Sequence, residues 1–466
     1  MINDILFTGG MVADKNGVCC AGIAVRDGKI TGVSDNPALL GAARKTVDAR
    51  GMLIMPGMID THTHIRGGGF SYREDFYTGT RAAASGGVTT VLEMPGGSAP
   101  VSEPAAFEAR LAEMRQHCAV DFGMYAGAGF DNLSDVPALA QLGAIGFKTF
   151  LNQPLKGREH EFRGLCAPDA DSLTRVMETV RETGLTLTVH CEDYGIIQVR
   201  SAAERSRSAG QSDLAAYMRS RPPAAEIAAV KIALACAEKT GCPLNVAHVS
   251  TAEAARMISA AKRRGMDVCA ESTMHYLFYS AEEMAAYGSA AKMKPPFREA
   301  GEVLALKELL SSGEIDYLGS DHAPFTAAEK QSPALWDAPD GLAGIELMFL
   351  LLLEAVSRGE VTVARAAEVS SFGAAQRFGL KHKGMLQPGY DADLVMIRRN
   401  LPGYSVRRST LLTKAQHSGV IYENTVLHNR IERVYQGGVP VMNGGAVNTH
   451  PGAGRFQTGE GEAQKC

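Results

Sequence analysis

The sequence carries no surplus of either charge sign: 47 Lys and Arg stand against 51 Asp and Glu, for a net charge of −4. That near-balance leaves no electrostatic footprint for nucleic acid or an anionic membrane surface. Long apolar runs are missing too. The longest purely apolar segment, 347–353, is far too short to cross a bilayer. The N-terminus, Met-Ile-Asn-Asp-Ile-Leu, lacks the basic start and apolar core of a secretory signal. No Cys-x-x-Cys pair occurs, and nine cysteines, an odd number, fit reduced thiols better than a disulfide frame. Cys191 and Cys269 fall inside apolar runs, where packing is the expected role. A cytoplasmic protein is expected, with neither nucleic acid nor membrane as a partner.

What is present is length and a repeating pattern. At 466 residues the chain suits a large barrel or two to three domains. Residues 1–52 read as short strands, with Asp27-Gly28 as a hairpin turn between alternating apolar runs. From residue 53 the pattern becomes strand, loop, helix, repeated. Apolar β-like runs fall at 53–60, 88–94, 120–126, 145–151, 186–192, 244–250, 267–273 and 316–322. Eight strands alternating with helices predict an α/β chain built on a (β/α)8 barrel over 53–380. The rival, a doubly wound sheet, lacks its Gly-x-Gly-x-x-Gly turn after the first barrel strand. After residue 380, β character returns in Asp391-Ala-Asp-Leu-Val-Met-Ile and Ile431-Glu-Arg-Val-Tyr. The segment 381–448 is expected to complete 1–52 as a discontinuous β-sandwich. The Gly-rich, polar stretch 449–466 is expected to be a mobile or subunit-contacting tail.

The chemistry starts at Asp60-Thr-His62-Thr-His64. Side chains at i and i+2 of a strand share a face, so both imidazoles converge on one point. A pair of histidines is a common start to a metal site. Other runs carry comparable residues near their C-terminal ends, where barrel enzymes build active sites. Lys148 lies amid apolar residues in Gly146-Phe-Lys, His190 ends Leu187-Thr-Val-His, His248 follows Val246-Ala, and Asp321 follows Leu318-Gly-Ser. A lysine inside a β run is rarely buried without a partner. Each residue alone has an ordinary packing explanation; six of them at matching places in five strands do not. His322, adjacent to Asp321, is expected to point away.

These motifs, with Ala82-Ala-Ala-Ser-Gly-Gly-Val-Thr-Thr, Val189-His-Cys-Glu, Ala247-His-Val-Ser, Lys294-Pro-Pro-Phe-Arg and Gly319-Ser-Asp-His-Ala-Pro, resemble the amidohydrolase superfamily. More narrowly they are similar to the cyclic amidohydrolases: dihydroorotase, hydantoinase/dihydropyrimidinase and allantoinase. The resemblance implies two divalent metal ions, Zn2+ first with Mn2+ or Co2+ as substitutes. It also implies an N6-carboxylated Lys148 bridging them. One ion would take His62, His64, Lys148 and Asp321; the other would take Lys148, His190 and His248. Asp321 would serve as general base and then acid. A homo-oligomer, dimer or tetramer, is a further implication.

The ring that is opened is less sharply written. Arg66 gives a His-x-His-x-Arg pattern resembling dihydroorotase. Gly96 and Phe325, however, stand where dihydroorotases usually carry asparagine and histidine. Val120-Asp-Phe-Gly-Met-Tyr, Cys269-Ala-Glu-Ser and the loop from Trp336 to Gly344 look closer to hydantoinases and allantoinases. The reading favours a hydantoin or ureide ring, with dihydroorotate as the alternative. A collapsin-response-mediator-like scaffold without catalysis is disfavoured, because all six ligand positions are filled. Arg66, Asn152, His275, Lys294 and Asp340 are the candidate substrate contacts.

Overall fold

A run such as Val88-Thr-Thr-Val-Leu-Glu93 is buried along its whole length, and such runs need cover on both faces, as in a parallel sheet wrapped by helices. A computed structural model describes residues 2–154, 157–208, 213–332 and 335–459. Its eight parallel barrel strands are β1 (Met58–Thr63), β2 (Val88–Glu93), β3 (Asp121–Gly127), β4 (Gly146–Phe150), β5 (Leu187–His190), β6 (Leu244–Val246), β7 (Val268–Ser272) and β8 (Tyr317–Leu318). They pair in chain order, and a parallel bridge between Thr63 and His322 brings the last strand back to the first. The intervening helices put their apolar sides on the barrel. The helix Met348–Ser357, which holds the longest apolar run, is buried along most of its length. Among the described residues no helix is long and apolar enough to cross a membrane.

Nine of the remaining strands form one sheet drawn from both ends of the chain, and Tyr404–Ser405 pairs separately with Val426–Leu427. Met52–Pro56 is its seam, parallel to Met11 and Val12 on one edge and antiparallel to Leu394–Arg398 on the other. Phe7 and Tyr435, one from each end of the sequence, meet edge to face at 4.9 Å in its core. The Asp27-Gly28 turn joins Gly17–Arg26 to Lys29–Ser34 with φ of 51° and 75°, the left-handed pair a two-residue hairpin requires.

Two expectations need correction. The first apolar run, 53–60, is not one barrel strand, because 53–56 belong to the side sheet and the barrel begins at Met58. The break is at Gly57, where a Cβ would stand 2.2 Å from Thr89 Oγ1, so only glycine permits the chain to pass between the two sheets. The predicted tail is docked over 449–459. Arg455 N–H and its guanidinium donate to Asp121 at 2.9 and 2.8 Å, Gln457 N–H donates to Phe122 O at 2.8 Å, and Phe456 packs on Phe122. Gly-rich composition signals freedom only while no buried charge lies opposite; here Asp121 does. Residues 460–466 lie outside the described residues.

Candidate active site

Five of the eight barrel strands lead their candidate ligands to one rim because parallel strands end at the same level. A cavity of about 330 Å³ opens there, lined by His62, His64, Lys148, His190, His248 and Asp321 among others. The structure thus brings all six candidate ligands together. His62 Nε2 and His64 Nε2 lie 3.6 and 3.2 Å from Asp321 Oδ1. His190 Nδ1 lies 3.1 Å from His248 Nε2. The His62 and His248 rings, 5.2 Å apart, join the two groups.

The strands do not run straight through these residues. Leu244–Val246 and Tyr317–Leu318 stop short of His248 and Asp321, whose φ values are 38° and 48°. Arg66 has φ of 70°. For residues other than glycine this region costs of order 1–3 kcal/mol each and persists only where surroundings impose it. Of the six such residues among those described, three therefore belong to one site.

Burial dominates the electrostatics. It pushes Lys148 down to about 8, opposed by the charges of Glu271 and Asp321. The Lys148 Nζ has no hydrogen-bond partner among the described residues and lies 5.3 Å from the Phe150 ring centre. Burial also lowers His62, His64, His190 and His248, which keeps the imidazoles neutral and their lone pairs available. Burial alone would raise Asp321, but the His64 hydrogen bond and the His62 ring hold it at about 2.

The donor set fits a metal pair. His62 Nε2 and Lys148 Nζ are buried without hydrogen-bond partners among the described residues, and an atom so placed is costly unless something coordinates it. His62, His64 and Asp321 offer ligand atoms within 4.8 Å of one another. The 3.1 Å between His190 and His248 is close to the ~3.3 Å expected of two nitrogens on one tetrahedral ion.

Of the candidate substrate contacts, Arg66, Lys294 and Asp340 line the cavity. Arg66 is pinned by its N–H to Glu93 Oε1 at 2.7 Å, while its Nη1 is buried without a hydrogen-bond partner among the described residues. Burial, with Arg73 nearby, lowers it to about 10. Lys294 and Asp340 pair with each other at 2.7 Å. The other two are placed differently. Asn152 lines a smaller adjoining chamber, where its Oδ1 accepts from Cys166 Sγ at 3.4 Å. His275 is buried outside the cavity lining, its ring nitrogens engaged by Thr273 Oγ1 at 2.8 Å and by the Tyr422 hydroxyl. An aromatic partner 147 residues away in the chain is invisible to sequence reading. His322 is fully buried with Glu74 at 3.7 Å, away from the cavity.

Sequence reading passed over two carboxylates behind the histidines. Glu271 Oε1 accepts from His62 Nδ1 at 2.6 Å. Glu192 Oε2 accepts from His190 Nε2 at 2.9 Å and from Arg221 Nη1 at 2.5 Å. Burial raises Glu271 to about 7, whereas Arg221 and His190 overcome burial at Glu192 and hold it at about 2. The signal was present: Glu271 is a charge inside an apolar β run, as Lys148 is.

A parallel (β/α)8 barrel with four histidines, a buried lysine and an aspartate on its C-terminal rim defines a metal-dependent hydrolase. Residues 53–425 match the amidohydrolase family, and the chain belongs to it. It is 34% identical to an allantoinase of Rubrobacter xylanophilus over 97% of each chain. It is 33% identical to an allantoinase of Salmonella newport, covering 85% of this chain and 86% of that one. Among solved structures, an L-hydantoinase (dihydropyrimidinase) from Arthrobacter aurescens superposes with a TM-score of 0.92 at 30% identity, covering 98% of this chain and 100% of the other.

Proposed function

We propose that this protein hydrolyses a ring C–N bond of a cyclic ureide, in the manner of an allantoinase or hydantoinase. The observation that carries the reading is the convergence of His62, His64, Lys148, His190, His248 and Asp321 on one cavity with buried nitrogens left unpartnered. The relatives named above support the cyclic amide as substrate class.

In this reading His62, His64, Asp321 and Lys148 would hold one divalent ion, while Lys148, His190 and His248 would hold the other, with zinc as the proposed metal. Lys148 would serve both as a carbamate: the Nζ ammonium would lose two protons as it bonds to the carbon of CO2, turning a cation that would repel the ions into a two-oxygen anion. The pair, when bound, supplies a water of lowered pKa and polarises the scissile carbonyl. Asp321, held at about 2, is ionised at neutral pH. It accepts the proton of the attacking water and delivers it to the departing ring nitrogen as the C–N bond breaks. The neutral histidines keep their ligand atoms fixed. Arg66 offers its unpartnered guanidinium edge to a substrate oxygen. A cytoplasmic dimer or tetramer is part of the same proposal, supported by the resemblance to cyclic amidohydrolases.

The test is ring opening by zinc- or manganese-loaded protein supplied with bicarbonate. The panel is allantoin, hydantoin, a 5-substituted hydantoin, dihydrouracil and dihydroorotate. Turnover of allantoin or a hydantoin supports the assignment. Turnover confined to dihydroorotate moves it to the ring whose carboxylate Arg66 would meet, and protein that retains no metal removes it.

A further inference from the structure

The carboxylate of Glu271, on β7, is not in the lining of the rim cavity, yet groups from two other strands converge on it. From β1, His62 Nδ1 donates to Oε1 at 2.6 Å and Thr61 Oγ1 to Oε2 at 2.9 Å. From β6, Asn245 Nδ2 donates to Oε2 at 3.3 Å, and the His248 N–H just beyond that strand approaches Oε1 at 3.4 Å. Asn245 is tied in turn to Thr188 of β5. The backbone of the same residue accepts the Val249 N–H at 2.7 Å. Every one of these neighbours is a donor, so the site is built for an acceptor-only group.

Two consequences follow for His62. A donor at Nδ1 fixes the tautomer with its lone pair on Nε2, the atom that lies 3.6 Å from Asp321 and has no hydrogen-bond partner among the described residues. The second oxygen, held by Thr61 and Asn245, prevents the carboxylate from turning, so the imidazole cannot turn either. For His248 the effect runs through the backbone. Its φ of 38° is unfavourable for a histidine, and the two amides that define that kink, at 248 and 249, both point at Glu271.

We propose that Glu271 is the positioning residue of the metal centre. Its carboxylate sets the ring and tautomer of His62, a ligand in one half, and together with its backbone carbonyl holds the left-handed kink that aims His248, a ligand in the other. The inference rests on the binuclear reading above. Carboxylates of this kind behind metal-bound histidines are worth about 10- to 100-fold in metal affinity.

The decisive measurement is metal retention. Wild type and Glu271→Gln would be dialysed against graded chelator and their metal content measured, with circular dichroism and thermal melting to verify folding. The amide that this substitution introduces is isosteric with the carboxylate but must turn an N–H toward one pair of donors. The expected result is a folded variant that releases metal at roughly 10- to 100-fold higher free metal than wild type. When saturated with metal, it should show a reduced kcat and a KM within about threefold. Wild-type metal retention in a folded Glu271→Gln overturns the proposal while leaving the hydrolase reading intact. If wild type itself holds no metal, both fall. Should Glu271→Gln not fold, Thr61→Val removes one anchor of the carboxylate and leaves every ligand in place. Weakened retention in that variant supports the role, and unchanged retention overturns it.

Discussion

His190 Nδ1 stands 3.1 Å from His248 Nε2 across β5 and β6, whose register pairs Leu187 with Leu244 and Val189 with Val246. Two ring nitrogens this close, one at the end of β5 and the other just beyond β6, share an ion or, without one, a single N–H···N hydrogen bond. His248→Ala should therefore lower bound metal toward one ion per chain. Activity should fall about 100- to 1,000-fold, because the lost ion supplies several kcal/mol of charge stabilisation. Elemental analysis beside a ring-opening assay reads both. Full activity with two ions retained would refute the pairing.

Lys148 makes a prediction about stability. In the metal-free protein burial lowers its pKa from 10.5 to about 8. The unfolded chain then binds more protons between those values, so stability rises with pH across that window and the penalty is fully present below it. Lys148→Met, metal-free, should be more stable than wild type at pH 7 by roughly 3 kcal/mol, with the gain closing by about pH 10.5. Denaturant melts at the two pH values are the measurement. An equal gain at both would mean that packing, not charge, is responsible.

Asp321→Asn should lower kcat by about 100- to 10,000-fold, the usual contribution of a positioned proton carrier. Because the carboxyl is held at about 2, it stays ionised far below neutrality. The acid limb of the wild-type pH profile should then follow histidine protonation and metal loss instead. A kcat profile whose acid limb survives at constant metal occupancy would contradict this.

Arg66→Met removes a buried guanidinium whose Nη1 has no hydrogen-bond partner among the described residues. If that edge binds substrate, KM should rise about tenfold or more, the worth of a charged hydrogen bond, with metal content unchanged. An unaltered KM across the substrate panel would leave Arg66 as loop structure.

The docked C-terminal segment predicts a purely structural effect. Arg455 is half exposed, and its ion pairs with Asp121 and Asp391 are partly screened, so Arg455→Ala should cost about 1 kcal/mol. Lys383, 2.7 Å from Asp121, keeps that buried carboxylate paired. A lowered melting temperature with unchanged kcat/KM is the expected outcome, and altered kcat would be unexpected this far from the rim.

Much of this site is legible in the chain alone because barrel strands are local objects. His62 and His64 share a face by period alone, and a charged residue inside an apolar run declares itself, as Lys148 does. The same logic missed Glu271 only because a glutamate between Ala270 and Ser272 resembles an ordinary strand end until His62 is seen against it. Asn152 and His275 show the opposite limit, since the structure sets neither in the lining of the rim cavity. Loop polarity suggested substrate, but Cys166 and Tyr422 satisfy them from elsewhere in the chain.

By itself the sequence determined the strand–helix alternation, the eight-fold repeat and the identity of the residues at the strand ends, since hydrophobic period and residue chemistry are properties of short segments. Tertiary structure alone decided where the barrel begins, at Met58 just after Gly57; that 449–459 lies down on Asp121; and that His248 and Asp321 turn into the left-handed region to face the cavity. Those outcomes depend on close approach, on burial of charge and on backbone strain. Each arises only when residues far apart in sequence are forced into contact.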